Sequence, residues 1–148
     1  MKVAAIVVAL TTLVQCNLGP FSTGDIVGGT WGGMNAGLMA DDTSAHIHIG
    51  CTYGDVHQGI VLDKGNRFDV AGEHNITAFP VDRGILHPAR YTGSIDGRTM
   101  TLRVTLTDTA VLLGPVTLTF GKNPIMGPCP ICFGTRARLR RSVDTALK

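Results

Sequence analysis

Residues 98–107 alternate almost without a fault. Met100, Leu102, Val104 and Leu106 fall on one side, and Thr99, Thr101, Arg103, Thr105 and Thr107 on the other. That is the two-residue period of a strand with one dry and one wet face. The run Arg90-Tyr91-Thr92-Gly93-Ser94-Ile95 enters it through Asp96-Gly97, a pair that supplies the positive φ of a tight hairpin turn. Val116-Thr117-Leu118-Thr119-Phe120 repeats the alternation after a break expected at Gly114-Pro115. Three consecutive antiparallel strands are predicted here.

The same pattern runs upstream in shorter pieces. A first strand is predicted over residues 26–33 and a second over 36–40, turning at Asp41-Asp42-Thr43. Residues 44–51 alternate again, with Ala45, Ile47, Ile49 and Cys51 on one face and His46 and His48 on the other. Gly54-Asp55 predicts a turn, residues 59–62 a short apolar strand, and Asp63-Lys64-Gly65-Asn66 a connector into residues 67–74, where Phe68 and Val70 face inward. Residues 75–88 carry Pro80 and Pro88 and lose the rhythm. They predict a long connection across a barrel mouth or a sheet edge.

About seven or eight strands at spacings of about 8 to 12 residues, with no helix candidate among them, make the domain all-β. Short turns join neighbours almost throughout, which favours a small antiparallel up-and-down β-barrel, with a β-sandwich as the alternative. Closure also removes the edges that Thr-rich strands would offer to other chains. The length of 148 residues suits one domain, and a net charge of +2 is too small to argue for nucleic acid.

The start of the chain has the character of an address. Lys2 precedes an apolar run over residues 3–10, too short to span a bilayer. Leu13, Val14 and Cys16 then resemble a bacterial lipoprotein signal, although Gln15 stands where that family has a small residue. The resemblance implies export, a signal peptide over residues 1–15, a lipid (palmitate) on Cys16 and an anchor in the membrane of the bacterial cell envelope. An ordinary cleaved secretory signal is the alternative. Residues 16–25 have the Gly, Ser and Pro of a flexible tether, residues 26–133 form the barrel domain, and residues 134–148 a basic tail.

Gly29, Thr30 and Trp31 resemble the Gly-x-Trp that opens the first strand of lipocalins, members of the calycin group. The layout of Trp, Cys, Gly-Arg-Phe-like and Tyr-Thr-Gly segments is also similar to that of small secreted bacterial lipoproteins. These resemblances imply a lipocalin-like barrel. Its inward side chains Trp31, Phe68, Met100, Leu102 and Val104 are the candidate contacts of an apolar or amphiphilic ligand. Alternatively the same side chains fill a solid core, and the protein is a structural or interaction component of the envelope.

If Cys16 carries lipid, Cys51, Cys129 and Cys132 remain. The expected disulfide is Cys51–Cys129, with Cys51–Cys132 nearly as plausible. Cys129-Pro130-Ile131-Cys132 also has the spacing of a redox pair or half a zinc site, which His46 and His48 would complete. Gly127-Pro128 and Phe133-Gly134 give it no helix to lower a thiol pKa, so no metal or cofactor is assigned. No Gly-x-Ser-x-Gly occurs and Glu73 is the only Glu, so no catalytic residue is assigned and an enzyme is not expected. In the tail, Leu139, Val143 and Leu147 recur among Arg136, Arg138, Arg140, Arg141 and Lys148. They predict a basic helix that would meet an anionic surface, or else a solvated terminus.

Overall fold

The structure, a computed structural model, describes residues 20–129. Eight strands follow one another: β1 (Gly29–Gly33), β2 (Ala36–Ala40), β3 (Ala45–Ile49), β4 (Thr52–Val56), β5 (Arg67–Asn75), β6 (His87–Asp96), β7 (Thr99–Leu106) and β8 (Leu112–Phe120). Each pairs antiparallel with the next. β8 returns to β1, with Trp31 opposite Phe120 and Gly32 opposite Thr119. The result is a closed up-and-down barrel, and the sandwich alternative is set aside.

Alternation decides what lies inside. Along β7 every second side chain from Met100 to Leu106 is buried, and each faces the matching inward residue of β6, as Val104 does Tyr91. Trp31 closes one region of the core between the rings of Phe21 and Phe120, and its indole Nε1 donates to the Gly28 carbonyl at 3.1 Å. Phe21 lies in the segment expected as tether, and its ring packs on the barrel.

Three local expectations are corrected. Gly54-Asp55 is the middle of β4, not a turn; the chain reverses at Gly50, whose φ is +58°. Gly54 is needed for close approach, because a Cβ there would collide with the Tyr91 hydroxyl, the Glu73 carbonyl and His74 Nδ1. Residues 59–62 form only a single bridge, Ile26 to Val61, yet Ile60 and Leu62 are buried and cover the core. Gly114-Pro115 does not interrupt β8. The strand runs through it as an irregularity opposite Arg103, between the pairs Leu102–Val116 and Val104–Leu113. Proline lacks the N–H a ladder uses, so a bulge is where a strand tolerates it.

Candidate functional site

The five side chains proposed from the sequence to meet a ligand lie inside the barrel. Trp31, Met100, Leu102 and Val104 are 0% exposed and Phe68 is 4% exposed. They belong to one buried apolar cluster with Leu38, Ile47 and Leu118. Cys16, Cys132 and the basic tail fall outside the described residues. Cys51 and Cys129 form the disulfide expected of them, so Cys129 offers no free thiol to a redox or zinc site with the histidines.

What the disulfide secures is a strap. After β8 the chain turns at Gly121, whose amide donates to the Thr30 carbonyl at 2.7 Å, and crosses the outer face of β1 and β2. Ile125 N–H donates to the Gly33 carbonyl at 3.0 Å, and Asn35 N–H donates to the Ile125 carbonyl at 2.9 Å. Gly127 N–H donates to Asn35 Oδ1 at 2.7 Å. The crossing needs glycine beneath it: a Cβ on Gly32 would meet the Asn123 backbone, and one on Gly37 would come within 2.8 Å of the Pro124 ring. Cys129 then ties the end of the strap to the β3–β4 turn through Cys51.

Beside the strap, cross-strand register builds two outward rows. One runs Thr30, Met39, His46, Asp55, Glu73; the other runs Gly32, Gly37, His48, Tyr53, Asn75. Side chains two apart on β3 share a face, so the two imidazoles meet, with Nε2 atoms 3.0 Å apart. His46 Nδ1 lies 2.6 Å from Asp55 Oδ1, and the Tyr53 ring sits about equally far from both imidazoles. Loss of hydration, and then the neighbouring His46, hold the His48 pKa below its ordinary value against the opposing pull of Asp55. With the strap these residues wall a cleft of about 250 Å³ lined by Met39, His46, His48, Pro124 and Met126, among others.

The segment between β5 and β6 is latched next to this face. Asp82 accepts from the Tyr53 hydroxyl at 2.7 Å and from Asn75 Nδ2 and the Gly84 amide at 2.8 and 2.7 Å. These bonds hold the Asp82 carboxyl below its usual pKa, with the Gly84 bond the largest contributor. Inside the wall, His74 is fully buried with Nε2 2.8 Å from Thr52 Oγ1 and Nδ1 2.9 Å from the Tyr91 hydroxyl. Desolvation drives its pKa down to about 4. The remaining histidines form carboxylate pairs, His57 with Glu73 at 3.0 Å and His87 with Asp108 at 2.7 Å.

The sequence placed His46 and His48 together on the wet face. It missed Asp55 and Tyr53, which were hidden by the expected turn, and Met39 and Met126, which the strap brings to the same cleft. The chain matches no protein-family profile, no curated protein and no solved structure.

Proposed function

We propose that this chain is an exported module of the bacterial cell envelope, held at the membrane by lipid on Cys16, and that it binds a small apolar or amphiphilic ligand on the outer wall of its barrel. Export and anchoring rest on the resemblance of Leu13, Val14 and Cys16 to a lipoprotein signal. The site rests on one contrast. The inward residues Trp31, Phe68, Met100, Leu102 and Val104 are closed off from solvent, whereas Met39, Pro124 and Met126 line an open cleft that also holds two imidazoles. Apolar side chains around a few converging polar groups are what a small-molecule site requires. The ligand's apolar part would cover the thioethers and the proline, and its polar part would meet His46 and His48.

Titrating an environment-sensitive fluorescent fatty acid into the untagged protein tests this. Saturable binding is expected, weakened at least tenfold by Met39→Glu, with the emission of Trp31 unchanged because that indole lies inside the wall. Binding that survives Met39→Glu and alters Trp31 emission would move the site into the barrel. The absence of saturable binding would favour the alternative of a solid barrel that meets a protein partner in the envelope.

A further inference from the structure

The cleft holds a donor set that an apolar ligand does not need. Two imidazole nitrogens face each other at 3.0 Å, and the thioether residues Met39 and Met126 line the same cleft. Methionine is ordinarily an interior residue, yet Met34, Met39 and Met126 are 69%, 58% and 42% exposed. Met34 bridges to Ile125, the residue before Met126. We propose that the cleft binds one copper ion, through His46 Nε2, His48 Nε2 and the sulfurs of Met39 and Met126. The inference rests on the cleft being a binding site, and not on the amphiphile.

Geometry supports the imidazole pair. An ion at the ~2.0–2.1 Å of metal–imidazole bonds would see nitrogens 3.0 Å apart at an angle of about 91–97°. That is the cis angle of a tetragonal site, which suits Cu(II), while the thioethers suit Cu(I). The Asp55 carboxylate, 2.6 Å from His46 Nδ1, keeps the proton on Nδ1 and leaves the Nε2 lone pair facing His48. A carboxylate behind a ligating imidazole fixes its tautomer and raises its basicity. In the metal-free pair His48 Nε2–H donates to His46 Nε2. Binding requires the Nδ1–H tautomer of His48, which leaves the Nε2 lone pairs of both imidazoles for the ion.

The choice of metal follows from softness. Calcium and magnesium are oxygen-ligated, whereas zinc accepts imidazole as copper does, so discrimination against zinc rests on the thioethers of Met39 and Met126. Thioether sulfur selects Cu(I), and among divalent ions copper binds nitrogen donors most tightly. The strap that carries Met126 is fixed by the Cys51–Cys129 disulfide, so that sulfur is presented by a tethered segment.

The test is competition for Cu(I) between the untagged protein and bicinchoninate, under nitrogen with ascorbate as the reductant, alongside a titration with Zn(II). One equivalent of copper is expected to leave the chelator. His48→Phe should abolish transfer, Asp55→Asn should weaken it about 10–100-fold, and Met39→Leu should weaken Cu(I) binding while leaving Cu(II) binding through the imidazoles. Circular dichroism of each variant establishes that the barrel persists. No transfer, transfer unchanged by His48→Phe, or zinc held as tightly as copper would overturn the proposal. If copper fails while the fluorescent fatty acid still binds, the copper site falls and the cleft remains a binding site; if both fail, the outer-wall reading falls too.

Discussion

A methyl group on Gly32 would occupy the space of the Asn123 backbone. Neither strand nor strap can give way cheaply, because β1 is held in the sheet ladder and the strap is hydrogen-bonded on both sides of Asn123, at Gly121 and at Ile125. Gly32→Ala is therefore expected to cost about 1–3 kcal/mol, the usual penalty of overpacking, and to lift the strap off the cleft. Urea denaturation measures the first effect, and faster amide exchange at Ile125 and Gly127 the second. The buried His74 carries a different kind of prediction. Its folded pKa of about 4 lies below the 6.5 of an unfolded chain, so between those values the unfolded chain is the one that takes the proton. The stabilisation is complete above pH 6.5, declines as pH falls towards 4 and changes no further below it. The amount lost is on the order of 3 kcal/mol. In His74→Leu, Thr52 Oγ1 can donate to the Ile49 carbonyl and the Tyr91 hydroxyl to the Glu73 carbonyl, so both hydroxyls keep a partner. Comparing urea midpoints at pH 7.5 and 4.5, wild type should lose more stability than this variant; equal losses would show that His74 is not the group responsible.

Among the elements, the strap depends most on a single bond. It joins residues separated by 78 positions, and closing a loop of that length stabilises by about 4–5 kcal/mol through the unfolded chain on the chain-entropy relation. Cys51→Ser with Cys129→Ser is expected to lower stability by about that much and to raise exchange at Ile125 and Gly127 well before β6 and β7 respond. Uniform loosening of all strands would contradict this placement. The strap also shows where the sequence stopped being legible. β7 could be read because its period is local to one strand. Residues 121–129 have no such period, and their role is written instead in Gly32 and Gly37 of two other strands. β4 was lost in the same way: Gly54 answers to a tyrosine on β6, and a glycine chosen for distant contact looks the same along the chain as one chosen for a turn. His46 and His48 were legible as a pair, while their carboxylate and thioether neighbours were not, because register alone brings those together.

For the molecule as a whole the weak point is the seam. β1 meets β8 through two residue pairs only, whereas β5 and β6 pair along eight, so closure there relies on side chains and on the strap. Phe120 is the keystone: its ring lies 5.1 Å from Trp31 and 5.2 Å from Phe21, and the Arg98 guanidinium stacks over it at 5.1 Å. Truncating it removes the contacts that hold β8 to β1 without touching the longer ladders. Phe120→Ala is expected to cost about 2–4 kcal/mol and to open the wall beside Trp31. Because Trp31 is the only tryptophan, opening registers as a red shift of emission and faster quenching by acrylamide under native conditions. A variant that loses stability while Trp31 stays blue and protected would mean that the strap alone keeps the seam closed. In that case the same truncation in the Cys51→Ser, Cys129→Ser background should expose the indole.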